Sequence, residues 1–242
     1  MTELTRLLGH GDESARLDVA ALEIAGIEYP DLDHGRFLEQ LDTWAGEIGR
    51  QVGLEAPGDR FLDVLTGYLT VTLGFTGNQR SYYDVQNSCL NRVIERRTGL
   101  PITLSLLYIE IGRRLGRDIH GIGLPGHFLA GYRDSQMSAY IDPFHGGELL
   151  DRRGAIRLIS ALRGETWMPG ANDFEPASKR QIALRMLNNL RGAYLRKQQW
   201  SKVIQVLDVM MIAPQAGPDR QALEGELAKA RQAWARLRAS LN

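Results

Sequence analysis

The sequence predicts an α+β protein with a helical N-terminal part, a buried helix followed by a small antiparallel sheet, and an α-helical C-terminus. Three observations support this fold class. Apolar residues recur with helical spacing before residue 100, and residues 102–115 are apolar on nearly all sides. After Gly116, short apolar runs alternate with turn residues, a pattern that is typical of antiparallel strands.

The helical part precedes the buried helix. Periodicity predicts helices within residues 13–54, 59–73 and 88–97. Within the first stretch, Pro30 ends one helix because the residue before a proline avoids the helical conformation. The next helix carries an apolar stripe and ends at a capping glycine. That stripe consists of Phe37, Leu41, Trp44 and Ile48.

The buried helix starts at Pro101, a residue type that suits the first helical turn. Strands are predicted at residues 119–124, 127–132 and 139–141, with a further short strand at 148–150. Asp151 then starts another helix, which ends near Gly164.

The positions of glycine and proline residues predict the domain organisation. Residues 1–164 form the first domain, and residues 165–177, with Pro169-Gly170 and Pro176, form a linker. Residues 178–242 form a helical hairpin and a long last helix from about Arg220. The last helix has an apolar stripe of Leu223, Leu227, Ala230 and Trp234.

Composition excludes several classes of protein. The 242 residues are 43% hydrophobic, which is typical of a globular protein. The 29 basic side chains balance 29 acidic ones, so the chain has no net positive electrostatic field that would attract nucleic acid. A single cysteine, Cys89, leaves no intrachain disulfide and no cysteine-rich zinc site. No signal-like or membrane-spanning apolar run is present. We therefore expect a cytoplasmic protein with neither nucleic acid nor membrane as a partner.

The candidate catalytic residues are His127, which begins a predicted strand, and Asp142, which ends the next one. Opposed side chains on antiparallel strands come within about 5 Å. A carboxylate at that distance fixes the tautomer of an imidazole and raises its basicity. Such a pair would need a nucleophile at the start of the preceding helix, where the helix dipole favours an anion.

Three motifs in this region carry a resemblance to a known family: Gly99-Leu100-Pro101, Gly126-His127-Phe128-Leu129 and Ile141-Asp142-Pro143-Phe144. Together they resemble the core of the transglutaminase-like fold, a relative of papain. Asn87-Ser88 and the run from Arg96 to Ile102 resemble one branch of that family. This branch is the bacterial SirB-type proteins, in which a transglutaminase-like domain precedes tetratricopeptide repeats. The similarity covers roughly residues 15–215.

The resemblance implies a loss of the usual nucleophile. It places Pro101 where transglutaminases carry cysteine, and proline has no nucleophilic atom. It also implies that Asn87 and Pro101 line the cleft. The biochemical activity of this branch is undefined, so the resemblance indicates a fold and a site but no reaction.

Other side chains are candidate nucleophiles. Thr103 and Ser105 carry hydroxyls close to the start of the buried helix, although hydroxyls there also satisfy free helix N–H groups. Cys89 is the only thiol, and a buried structural cysteine is the alternative interpretation.

Potential metal ligands cluster at His120, His127, Asp142 and His145, but their spacing matches no familiar zinc signature. We interpret His120 and His145 as exposed or loop-capping residues. The sequence therefore predicts neither a metal nor another cofactor.

The C-terminal hairpin resembles a tetratricopeptide repeat, with Pro214 about one place early and Arg191 at a usually small position. The repeat-like apolar positions are Leu190, Tyr194, Val203 and Leu207. A lone hairpin cannot bury its own face, so we expect it to pack on the first domain or on another chain. A purely structural lid is the alternative.

These observations favour a non-catalytic or regulatory protein that binds a peptide or protein partner. The alternative is an atypical hydrolase or acyltransferase that uses Thr103, Ser105 or Cys89 with His127 and Asp142. A third hypothesis is a regulatory scaffold whose cleft is purely structural. The sequence does not indicate an oligomeric state.

Overall fold

A computed structural model describes residues 1–53, 56–214 and 218–240. Ten helices are present in this part of the chain: α1 (Glu3–His10), α2 (Leu17–Ala25), α3 (His34–Val52), α4 (Gly58–Gly67), α5 (Leu90–Arg96), α6 (Pro101–Arg114), α7 (Arg152–Arg163), α8 (Lys179–Arg196), α9 (Trp200–Met210) and α10 (Pro218–Ser240). The described strands are β1 (Thr76–Gly77), β2 (Thr98–Gly99), β3 (Ile119–Leu124), β4 (His127–Arg133), β5 (Ser138–Asp142), β6 (Glu148–Leu150) and β7 (Pro176–Ala177). The fold is α+β, as predicted. None of the described helices has both the length and the apolar character needed to cross a bilayer.

Contacts divide the chain into two compact units. The first consists of Met1–Leu32, Tyr83–Cys89 and Lys179–Asn242, and the second of Asp33–Tyr82 and Leu90–Ser178. This grouping places the first two helices with the C-terminal helices. The linear division into 1–164, 165–177 and 178–242 therefore differs from it and stays a prediction about folding domains.

Helix α1 lies in the first unit and was not predicted, since the expected helices began at residue 13. The Thr2 side chain accepts a hydrogen bond from the Thr5 N–H at 3.2 Å and caps the helix. Leu7 and Leu8 are buried, and Gly11 ends the helix with a φ of 63°. Because α1 has only eight residues, its apolar stripe spans about two turns and gives a weak periodic signal.

Helix α8 is bound to the N-terminal helices of the same unit. The Tyr194 hydroxyl donates to Glu28 Oε2 at 2.7 Å, and Arg180 Nε donates to the Leu7 carbonyl at 3.1 Å. Helix α9 packs against α8 and α10. Three C-terminal helices are therefore present in the described residues, while their assignment as a tetratricopeptide-like region stays a prediction.

Helix α6 is the centre of the second unit. Every residue from Pro101 to Gly112 is buried, and the helix packs against α3 and against strands β3 and β4. Its one buried acid, Glu110, accepts a hydrogen bond from Arg114 at 2.9 Å, and Arg114 also donates to Asp42 of α3 at 2.6 Å. Burying this apolar helix fixes the position of the first strand pair.

The helices before α6 differ slightly from the prediction. The helix expected over residues 59–73 is α4 followed by a π-helical turn at Tyr68–Thr72, and the start of the stretch expected over 88–97 is a 3₁₀ turn at Val85–Ser88. The predicted helical stretch 13–54 ends at a residue that lies outside the described part.

Five strands form the main sheet in the order β6-β5-β4-β3-β7, and all neighbours are antiparallel. The last strand comes from the segment predicted as a linker. In that segment Trp167 and Phe174 are also buried, and they pack in one cluster with Ile122, Leu129 and Ile159. Residues 165–177 therefore cover part of the sheet.

Two adjacent glycines after β5 provide a test of close packing. Gly146 and Gly147 have φ values of 78° and 77°. A Cβ atom on Gly147 would lie 2.4 Å from Thr66 Cγ2, whereas nothing lies within 4 Å of one on Gly146. Gly147 thus needs both its backbone conformation and its lack of a side chain.

We expect Gly147→Ala to lower the free energy of unfolding by about 2–5 kcal/mol, because backbone strain of about 1–2 kcal/mol adds to an overpacking cost of about 1–3 kcal/mol. The control Gly146→Ala should lose only the strain, about 1–2 kcal/mol. Urea denaturation of both variants measures the difference. Equal losses would show that the contact with Thr66 is absent.

Candidate functional site

The side chains of His127 and Asp142 are in direct contact. The two residues begin β4 and end β5, and His127 Nε2 lies 3.0 Å from Asp142 Oδ2. The sequence analysis expected the two side chains to be directly opposed. In the structure the contact is instead diagonal across the strand pair. Ala130 pairs with Ile141 at the end of the ladder, so Asp142 falls opposite Leu129, two residues beyond His127. Diagonal neighbours of this kind remain within reach of an imidazole.

Asp142 accepts hydrogen bonds with both of its carboxylate oxygens. Oδ1 accepts from the backbone N–H groups of Phe144 at 3.1 Å and His145 at 3.4 Å. Oδ2 contacts His127 and also His145 Nδ1, which lies at 2.7 Å. These bonds form because Pro143–His145 folds as a 3₁₀ turn directly after the strand, with Asp142 as its N-cap.

The protonation state of Asp142 follows from these contacts. Complete burial acts to raise the pKa of its carboxyl group, but the hydrogen bonds and charges of His127 and His145 outweigh burial and hold the pKa below its ordinary value. Asp142 is therefore ionised at neutral pH. An ionised carboxylate only accepts hydrogen bonds, so the imidazole nitrogens that face it carry protons.

His145 is the site residue whose position the sequence did not predict. It was interpreted as an exposed or loop-capping residue, yet its side chain is only 28% exposed and bonds to Asp142. Its ring stacks on that of His127 with centroids 5.6 Å apart. A usable signal was present: side chains at positions i and i+3 eclipse in a 3₁₀ turn, so a histidine three residues after the aspartate of an Asp-Pro pair returns to that aspartate.

The fourth predicted ligand, His120, is not part of this group. Its Nδ1 lies 3.2 Å from Oδ1 of Asp118, the residue directly before β3. Among the described residues, the group that could hold a metal ion consists of His127, Asp142 and His145, whose ligand atoms all lie within 4.8 Å of one another. The cluster of potential ligands taken from the sequence therefore included one histidine, His120, that the fold separates from the other three residues.

Aromatic rings and a buried hydroxyl surround the pair. Phe144 meets the His127 ring edge-on at 6.0 Å, and Tyr82 meets Phe144 at 5.9 Å. Tyr108 of α6 is buried, and burial raises the pKa of its hydroxyl, with the charge of Asp142 adding to the rise. The pair is thus buried away from bulk water, where each electrostatic contact is stronger than in solvent.

The start of α6 carries the predicted nucleophile position. Pro101 is buried at the first helical turn. Thr103 Oγ1 donates to the Leu100 carbonyl at 3.1 Å and accepts from the Leu100 N–H at 2.9 Å. Ser105 Oγ donates to the Phe128 carbonyl at 3.4 Å. Both hydroxyls therefore serve the backbone of α6 or of the adjacent strand.

Cys89 and Asn87 belong to the first unit and not to the unit that contains His127. Cys89 is fully buried, and its Sγ donates to the Val85 carbonyl at 3.5 Å. Asn87 is also buried, within the 3₁₀ turn that precedes Cys89. A catalytic role for Cys89 and a place for Asn87 in the cleft stay predictions.

We expect Asp142→Asn to destabilise the protein at pH 7 by at least about 1.5–3 kcal/mol, the contribution of a hydrogen bond to a charged group. Because the pKa of Asp142 is lowered in the folded state, its contribution is complete above the unfolded value of about 3.9 and is lost as the pH falls through the folded value. The difference from the wild type, measured by urea denaturation at several pH values, should therefore shrink below about pH 4.

The control is Asp118→Asn, which changes a half-exposed carboxylate that also faces a histidine. It should alter the free energy of unfolding by less than about 0.5 kcal/mol. A penalty for Asp142→Asn that stays constant down to pH 3 would contradict the stabilising role of the ionised carboxylate.

Comparison with known proteins identifies the family of this chain. Residues 35–188 match the model of the transglutaminase-like superfamily. The chain is 34% identical over 209 residues to the UPF0162 protein of Xylella fastidiosa (strain 9a5c), covering 84% of this chain and 74% of the relative. It is 26% identical to the UPF0162 protein of Vibrio cholerae over 57% of this chain and 51% of the relative.

A relative of another kind, matched over a shorter stretch, is F-box only protein 21 of Homo sapiens. The identity is 36% over 123 residues, which is 48% of this chain and 19% of the F-box protein. No solved structure matches the chain. The family match covers more than half of the chain and includes His127, Asp142 and the whole of α6. The chain belongs to the transglutaminase-like superfamily.

Proposed function

We propose that this chain is a SirB-type transglutaminase-like protein that binds a peptide or protein segment without acting on it chemically. One observation carries the proposal: the His127–Asp142 hydrogen bond is present, while Pro101, the first residue of α6, occupies the position at which the resemblance places the nucleophile. The orienting part of an acid–base site is thus present where a thiol is lacking.

The hydroxyl groups near Pro101 support a non-catalytic role. A hydroxyl becomes a nucleophile when its proton is donated to a base. The protons of Thr103 and Ser105 are instead donated to backbone carbonyl groups. Activating either residue would require breaking a buried hydrogen bond, at a cost of about 1–3 kcal/mol.

A role as a binding module fits the comparisons. The stretch shared with human F-box only protein 21 amounts to 19% of that protein, so the related segment occurs there within a much longer chain. We propose that helices α8 and α9 form a tetratricopeptide-like hairpin that contributes to partner binding, and that the protein works in the cytoplasm. The balanced charge of the chain supports a protein partner over a nucleic acid.

The test is selection from a phage-displayed library of random dodecapeptides on the purified full chain. We expect selected peptides to bind the wild type in fluorescence anisotropy. His127→Ala should weaken binding at least about tenfold, which corresponds to about 1.4 kcal/mol, since it removes the polar group of the proposed cleft. His120→Ala, a change to another histidine of the same sheet, should leave the affinity unchanged.

Further measurements on the same purified wild type and variants distinguish the proposed function from its alternatives. Steady amide transfer from a glutamine peptide to a primary amine, abolished by His127→Ala, would contradict a non-catalytic role. Peptides that bind His127→Ala and Asp142→Asn as tightly as the wild type would contradict a binding role for the pair and favour a purely structural cleft. Circular dichroism spectra of each variant confirm that it is folded.

An atypical hydrolase or acyltransferase is the second candidate function. The observation in its favour is that an ionised carboxylate holds His127 Nε2, the arrangement that prepares an imidazole to act as a general base. Its nucleophile would be Thr103, Ser105 or Cys89. A fluorophosphonate or iodoacetamide probe that labels one of these residues only when His127 is present would replace the binding proposal with this one.

A further inference from the structure

The structure brings together three metal-ligand types that the sequence separates by up to 18 residues. His127 Nε2 and His145 Nδ1 lie 3.0 and 2.7 Å from the same oxygen of Asp142. We propose that His127, Asp142 and His145 bind one zinc ion. This inference is independent of the proposed peptide-binding function.

The distances suit a small divalent ion. Zinc binds imidazole nitrogen and carboxylate oxygen at about 2.0–2.2 Å, so tetrahedral ligand atoms lie roughly 3.3 Å apart. The two nitrogen–oxygen distances are 3.0 and 2.7 Å, and the three ligand atoms lie within 4.8 Å of one another. Small side-chain shifts would therefore admit the ion in place of the two shared protons.

The chemical character of the ligands favours zinc over magnesium or calcium. Two imidazoles and one carboxylate form the ligand set of several catalytic zinc sites, in which a water molecule takes the fourth position. Magnesium and calcium prefer oxygen ligands, of which Asp142 offers the only one in this group.

The backbone holds these ligands before any ion binds. Asp142 Oδ1 is fixed by two backbone N–H groups, which leaves Oδ2 directed at the histidines. The 3₁₀ turn returns His145 to Asp142, and the positive φ of Gly146 ends that turn. Such outer contacts orient the ligands of natural metal sites.

The experiment is isothermal titration of the EDTA-treated full chain with Zn²⁺, with the visible absorption of Co²⁺ as a second readout. We expect one ion per chain. His145→Ala should weaken binding at least about tenfold, and it is the preferred variant because His145 is partly exposed and is the most readily removed ligand. Asp142→Asn should have the same effect, whereas the control His120→Ala should have none.

Absence of Zn²⁺ binding by the folded wild type would overturn the inference. So would equal affinity of the wild type and His145→Ala, since the ion would then lie elsewhere on the chain. Peptide binding measured in EDTA reports on the proposed function alone. A chain that binds peptide but no zinc, or zinc but no peptide, therefore shows which of the two proposals fails.

Discussion

The rest of the site depends on the hydrogen bonds made by the buried carboxylate of Asp142. It is fully buried, and two backbone N–H groups and two imidazoles surround it. A buried charge without such partners would cost several kcal/mol, so the end of β5, the following turn and the start of β4 must adopt one geometry together. The turn supplies the N–H groups that hydrogen-bond to the carboxylate, and the carboxylate keeps the His127 ring in a single orientation.

Helix α6 provides the second constraint. Every residue from Pro101 to Gly112 is buried, and packing against β3 and β4 holds the first strand pair in place. Proline suits the first turn of α6 because it has no N–H to satisfy, and it carries no nucleophilic atom. The described residues thus hold the His127 imidazole against a buried carboxylate, while Pro101 starts the central helix. We propose binding rather than catalysis because the hydroxyls of Thr103 and Ser105 donate to backbone carbonyl groups.

Much of the second unit could be predicted from the sequence. The continuous apolar run of α6 and the alternation of apolar runs with turns depend on local patterns, and β3 has the predicted bounds. Helix α1 was missed because two turns give little periodicity. Strand β7 was missed because two residues of a Pro-containing segment carry no strand signal, and their pairing with β3 depends on tertiary contacts.

The site was predictable in part. His127 and Asp142 could be paired because neighbouring strands bring their ends together. His145 could not be placed by strand alternation, since it lies in a 3₁₀ turn where the period changes from two residues to three. The scattered stretches of the first unit, which include Cys89 and Asn87, join through long-range contacts that no local pattern reveals.

The most direct measurement of the central claim is the protonation of the two imidazoles. Two-dimensional ¹H–¹⁵N spectra of the EDTA-treated protein at neutral pH distinguish a protonated ring nitrogen from a bare one. An ionised Asp142 predicts a proton on His127 Nε2 and on His145 Nδ1, with both signals lost or shifted in Asp142→Asn. A His127 ring that exchanges between both tautomers in the wild type, as a free imidazole does, would contradict the account.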